Sequence, residues 1–313
     1  MRYLLSTAAL PLAELQSPAA PERWRELSSS AVDGVAIDAR VSAAQLSDLL
    51  EQLSRARLRC GELSEPLASQ PGKVAPRALA DDRDERRAAA QLLADVVELA
   101  GRHEVPRVVL LPAVLDLAPS AAALCERFAE RTRMPRDRLL RQRLGAAETA
   151  LDLYLAHLDP LLERADRVGV ELALLGPTVW PHQLPDAAEL ALLRAEFHGA
   201  PLAPYLALDW LHAARALGLV ELGPKPERPG ARARVADACG LTLRLPVGCG
   251  EVDWEQVKLP HDECVLALSH DVTRGEIQRS IERLDALPVW EDKDDEDEAP
   301  KERVTPGGLI LPY

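Results

Sequence analysis

Pro246-Val247-Gly248-Cys249-Gly250-Glu251-Val252-Asp253-Trp254 is the stretch on which the reading of this chain turns. Its glycines allow positive φ and close backbone approach, and Pro246 opens the turn. Two carboxylates and an indole sit beside them. The segment reads as a tight loop feeding a new element. Earlier in the chain stands Leu208-Asp209-Trp210-Leu211-His212, where an Asp and a His three apart follow an apolar run.

Working outward, short apolar runs alternate with long Ala/Leu/Arg/Glu stretches, the pattern of a parallel α/β fold. Candidate strands are Arg2–Ser6, Gly34–Asp38, Leu58–Leu63, Arg107–Leu111, Val170–Leu175, Tyr205–Asp209, Arg232–Asp237 and Cys264–Leu268. Eight is the number a closed (β/α)8 TIM barrel needs. Helices are expected over Ala43–Arg57, Asp82–Ala100, Thr149–Val168 and Arg274–Ala286. The second opens on an Asp cap with Glu85 behind it, carries Leu92, Val96 and Leu99 on one stripe and stops at Gly101. The third carries Leu151, Leu155, Leu158, Leu162 and Ala165 at helical spacing, and Pro160 should kink it or restart it from an Asp159 cap.

Residues 1–288 are expected to form this single domain. Gly223–Gly230, with Pro224, Pro226 and Pro229, reads as a surface loop. In the segment 289–313, Glu291–Glu298 holds seven acidic residues and one lysine. Like charges at that density cannot be buried, so a solvated arm is expected, with a protein partner as the alternative use.

The chain has 313 residues, enough for one large core, and 47% of them are hydrophobic but only 4% aromatic. That core must be built from Leu, Ala and Val. A net charge of −13 repels phosphate backbones, so no nucleic-acid partner is expected. No apolar run is long enough to span a bilayer, so no membrane partner is expected either. The N-terminal Met1–Leu10 reads as a first strand and loop, because Glu14 and Gln16 stand where a signal cleavage site would lie. Five cysteines without a Cys-x-x-Cys pair fit a cytoplasmic protein with free thiols.

The Asp209-x-x-His212 pair and the Pro246–Trp254 loop resemble signatures of the sugar phosphate isomerase/epimerase family, the xylose isomerase-like barrels. The resemblance runs from Gly34 to Leu287 and is sharpest between Gly169 and Trp254. It implies an active site at the C-terminal ends of the strands. It also implies one divalent ion (Mn, Mg, Co or Zn) held by a Glu of strand five, an Asp of strand six, a His of strand seven and a Glu of strand eight. Such an ion polarises a sugar carbonyl and hydroxyl while the carboxylates move protons.

Only strand six carries the pattern, with Asp209 and His212. Strand five reads Gly169-Val170-Glu171-Leu172-Ala173-Leu174-Leu175-Gly176, with its glutamate too early. Strand seven puts Arg234 at the histidine position and keeps Asp237. Strand eight has Leu268 or Ser269 in place of glutamate. A permanent guanidinium at a ligand position opposes a metal ion. The expected cofactor is therefore none, and the expected partner is a small polar molecule such as a sugar derivative. A remodelled centre of Asp209, His212 and His270, with Asp271 or His182 as further donors, would restore a metal-dependent isomerase.

Asp209 and His212 are the candidate catalytic residues, or a polar pair left at a strand end. Asp38, Glu62, Arg234 and Asp237 are the candidate substrate contacts. Each has a plainer alternative: Asp38 as a helix cap, Glu62 as an ordinary strand-end carboxylate, Arg234 as a structural partner of Asp209. Asp253 is read as a cap, Trp254 as packing under the rim, and Cys264 as core.

Overall fold

Eight parallel strands close into a barrel: β1 (Arg2–Ser6), β2 (Gly34–Ile37), β3 (Cys60–Ser64), β4 (Arg107–Leu110), β5 (Glu171–Leu175), β6 (Leu202–Ala207), β7 (Arg232–Val235) and β8 (Glu263–Leu266). They pair in chain order, and β8 returns to β1 with Arg2 opposite Glu263 and Leu4 opposite Val265. This is the (β/α)8 barrel that the alternation of the sequence predicts. The structure is a computed structural model and describes residues 2–15, 17, 22, 24, 26, 32–130, 136–176, 182–216, 232–257, 259, 263–288, 303, 304, 310 and 311. The Gly223–Gly230 loop and the acidic Glu291–Glu298 segment lie outside them.

The main helices are α1 (Ala43–Arg55), α2 (Arg83–Arg102), α3 (Ala121–Ala129), α4 (Arg136–Val168), α5 (Ala187–Glu196), α6 (Leu208–Ala216) and α7 (Arg274–Asp285). Amphipathic stripes turn towards the strands. In α1 the stripe is Leu46, Leu49, Leu50 and Leu53, and in α7 Ile277, Ser280, Ile281 and Leu284. Caps fix the starts: Asp82 accepts from the Asp84 N–H, and Thr273 and Glu276 form a capping box. Among the described residues no helix is long and apolar enough to cross a membrane.

Several ends shift by one to three residues, strand three to Cys60–Ser64, strand seven stopping at Val235 with Asp237 opening a separate hairpin, and strand eight to Glu263–Leu266; two further boundaries differ with more consequence. The helix expected from Thr149 begins at Arg136 and continues through Pro160. Pro160 and Ala156, whose carbonyl loses its bond, both lie on the exposed face, while Tyr154, Leu158, Leu161, Leu162 and Ala165 stay packed. The freed carbonyl faces solvent, where its lost bond costs least, and the apolar face holds the helix. Strand six ends at Ala207, not at Asp209, and α6 begins at the next residue.

The barrel interior is layered. At the N-terminal end Arg107 bridges three strands, with Nε 2.7 Å from Glu171 and Nη1 3.4 Å from Glu263 and 3.5 Å from Glu62. Arg59 adds a 3.0 Å pair to Glu263. Above this network lie two apolar clusters, Leu4 with Ala36 and Val265, and Val109 with Ala173, Leu175, Tyr205 and Ala207. The interior below the mouth is thus packed, which leaves the C-terminal rim as the face to search for a site.

Candidate functional site

Interior positions alternate along β7, so Arg232 and Arg234 share one face and Arg234 is the one nearer the rim. Beside it α6 starts without an intervening loop, which places Asp209 in the first helical turn with no exposed surface. Past β7 the chain doubles back as an antiparallel ribbon, Asp237–Cys239 against Thr242–Leu245. Its return strand carries Arg244 across the mouth. Arg244 has φ +65, in the left-handed region that side-chain-bearing residues seldom occupy.

Asp38, just past the end of β2, is the anchor of this rim. Its Oδ1 accepts from the Arg40 N–H (3.1 Å) and Nε (2.9 Å), and its Oδ2 from Arg244 Nη2 (3.1 Å). Arg234 Nη1 stands 3.8 Å from the same Oδ2. Burial pushes the Asp38 pKa up, but Arg244, Arg234 and Arg40 together hold it below the usual carboxylate range. Asp38 does not cap α1; Ser42 starts that helix with Gln45.

Two further polar groups of the rim are buried without partners. Arg234 is 6% exposed, yet its Nε and Nη2 meet no acceptor. Both Asp209 carboxylate oxygens are buried without a hydrogen-bond partner. The expected Arg234–Asp209 ion pair is absent, because Arg234 leans towards Asp38 and lies with Cζ 5.7 Å from the Trp210 ring centroid. Burial raises the Asp209 pKa, against the pull of Arg234 and of the nearby Trp210 and Arg244 N–H groups, which fall short of bonding geometry.

Two expected substrate contacts serve the scaffold. Glu62 lies in the middle of β3, 3% exposed, and accepts from the Tyr205 hydroxyl at 2.8 and 3.0 Å. Burial raises its pKa more than Arg107, Tyr205 and Arg234 lower it. Asp237 is filled by the Ala238 N–H (2.8 Å), the Gly248 N–H (2.7 Å), the Val252 N–H (3.0 Å) and the Trp254 indole N–H (2.9 Å). The Pro246–Trp254 loop is thus wound around one buried carboxylate. Its glycines are required: Gly248 has φ +78, and a Cβ at Gly250 would run into the Ala238 carbonyl and Asp237 Oδ1. Trp254 contributes as a donor as well as by packing.

The residues of a remodelled metal centre do not converge. His212 turns outward to Glu251, 3.6 Å away, His270 is exposed, and His182 donates through Nε2 to the Pro119 carbonyl at 2.7 Å. Asp271 is exposed and pairs with Ser269. Among the described residues no group of three or more His, Cys, Asp or Glu is arranged to hold a metal ion. The donor set present does not fit a divalent cation, since guanidinium groups fill the rim. All five cysteines are free, and burial pushes the Cys264 thiol up to about 12.

Sequence reasoning misses Arg40 and Arg244. Asp38-Ala39-Arg40 does carry a local signal, an Arg placed to close back on a strand-end carboxylate. Arg244 lies 206 positions from Asp38, and only the hairpin turn at Gly240 hints at its return.

No family model matches the chain, and no curated protein matches it. Solved structures do. A D-tagatose 3-epimerase-like protein superposes with TM-score 0.60 at 14% identity, covering 91% of this chain and 98% of that one. A D-psicose 3-epimerase from Clostridium cellulolyticum H10, solved with D-tagatose, gives 0.57 at 12% identity over 91% and 97%. A 3-keto-D-glucoside 4-epimerase from E. coli gives 0.55 at 13% identity over 91% and 98%. The fold is a (β/α)8 barrel of the xylose isomerase-like kind, matching these solved structures.

Proposed function

We propose that this barrel binds a small, sugar-derived molecule at its C-terminal mouth and does so with its own guanidinium groups in place of a divalent ion. The observation that carries the reading is the pair of unsatisfied groups, Arg234 and Asp209. A buried polar group without a partner costs about 1–3 kcal/mol, and more when charged. Two such groups of opposite sign at one rim are the mark of a site completed by a ligand. The fold of the sugar epimerases supports the same place and the same kind of molecule.

Metal-dependent epimerisation finds no support in the residues. It needs an acid and a base on either side of a carbon. The ends of β5 and β8 supply Leu175, Gly176, Leu268 and Ser269 there. Asp38 is held ionised by three arginines.

Calorimetric titration of chelator-treated protein with a panel of hexoses, hexitols and hexonates tests the proposal. At least one should bind with Kd below about 1 mM. A panel with no binder at all would overturn it.

A further inference from the structure

We infer that the molecule held at this mouth is a polyhydroxy carboxylate, with its carboxylate gripped side-on by Arg234 and a neighbouring hydroxyl donating to Asp209. This rests on the reading that the mouth takes a sugar-derived ligand, and it names the class.

Arg234 has two nitrogens without a partner, Nε and Nη2, and the third, Nη1, leans on Asp38. Nε and Nη2 lie along one edge of the guanidinium plane. Their N–H bonds run parallel and match the two oxygens of a single carboxylate. The Trp210 indole lies against the guanidinium, 5.7 Å from Cζ, which steadies the side chain. A flexible arginine would lose this fork to water; this one is 6% exposed and has little water to lose it to.

Each of the neighbouring cations already leans on Asp38. Arg244 Nη2 and Arg40 Nε donate to Asp38, and Arg40 Nη2 also donates to the carbonyls of Thr7 and Leu10. A phosphate group spreads charge over three oxygens and collects donors from several directions, as helix N-termini and backbone nests provide. At Arg234 the unpartnered donors form a single two-pronged fork, whose spacing matches the two oxygens of a carboxylate.

Asp209 supplies the second half. Neither of its oxygens accepts a hydrogen bond, and it faces the electrostatic field of Arg234 without touching it. A ligand that bridges the two must offer an anion to one and a hydroxyl to the other, which is what a hydroxy acid carries. A neutral sugar would satisfy Asp209 and leave the Arg234 fork empty. The strained backbone at Arg244 fits the same purpose: it keeps Asp38 occupied, so that Arg234 is not drawn into a full ion pair.

Three matched probes decide the matter: D-gluconate, D-glucitol, in which a hydroxymethyl replaces the carboxylate, and D-glucitol 6-phosphate. Each is titrated calorimetrically into the full chain and into Arg234→Lys, which keeps the charge and loses the fork. D-gluconate should bind at least about tenfold tighter than D-glucitol, and Arg234→Lys should remove that advantage. The melting temperature of Arg234→Lys, measured without ligand, establishes that it is folded. If it is not, Arg234→Gln and competition among the three probes on the unaltered chain carry the test. Equal binding of D-glucitol and D-gluconate would overturn the carboxylate assignment and leave the sugar-binding reading standing. Tighter binding of the phosphate would overturn it in favour of a phosphorylated sugar. Binding of none of the three would overturn this inference, and the absence of any binder in the wider panel of hexoses, hexitols and hexonates would overturn the reading beneath it.

Discussion

Arg234 and Asp209 share the rim of the barrel, one 6% exposed and the other fully buried, and they do not meet. An arginine and an aspartate enclosed together would ordinarily close into an ion pair, because the alternative leaves both desolvated. Here Asp38 and Trp210 hold the guanidinium to one side. The stability forgone at this pair is the physical reason to assign a ligand to it.

Asp209→Asn should therefore separate stability from binding. Burial raises the Asp209 pKa in the folded state, so the folded chain binds more protons there than the unfolded chain. Stability is then fully present below the ordinary aspartate value and falls as pH rises towards the folded one. Asparagine removes this dependence. The variant should melt at or above the temperature of the unaltered protein at pH 8, while affinity for the best hexose-derived ligand drops about tenfold or more. Thermal melts from pH 4 to 8 and calorimetry check the two halves.

Asp237→Ala should do the reverse. Its carboxylate gathers three backbone N–H groups and the Trp254 indole, and removing it strands four donors. A loss of about 2–4 kcal/mol is expected from denaturant unfolding, with faster proteolysis between Pro246 and Trp254. Its pKa, pushed up by burial, is held low by Trp254 and the N–H groups, so this contribution is present above the unfolded aspartate value. It is lost as pH falls through the lower folded one.

Glu65→Gln should flatten a pH dependence near neutrality. Burial pushes Glu65 up to about 7, against the Leu111 N–H that its Oε2 accepts at 2.8 Å. The folded state therefore keeps a proton that the unfolded state releases near the usual glutamate value. Stability declines as pH rises between those two values and levels off above about 7. Unfolding free energies from pH 4.5 to 8 should show the slope in the unaltered chain and a reduced slope in the variant.

Arg107→Ala should be the most damaging of these changes. It leaves Glu62 and Glu263 facing each other inside the barrel without their shared cation. About 3–5 kcal/mol is expected for breaking such a buried set, and chemical denaturation measures it.

The strands are legible in the sequence because short β-branched and apolar runs between long helices suit buried parallel strands and little else. The loop Pro246–Trp254 is legible as a loop, but not in purpose. A carboxylate at a strand end, such as Asp237, reads the same whether it faces a ligand or gathers backbone N–H groups. Glu62 misleads for a related reason: its strand runs on two residues past it, to Ser64, and so keeps it inside. The sequence extends strand six to Asp209 because nothing in Leu206-Ala207-Leu208-Asp209 marks a break, and the helix begins without a turn residue. The rim arginines are tertiary facts. Arg244 meets Asp38 only after the barrel has closed.

The most direct test of a metal-free binding mouth is calorimetry on protein stripped with EDTA, titrated with D-gluconate and with D-glucitol, and repeated with Mn²⁺ restored. The predicted result is saturable binding to the stripped protein with an affinity that Mn²⁺ leaves unchanged. Binding that vanishes with EDTA and returns with Mn²⁺ would contradict it.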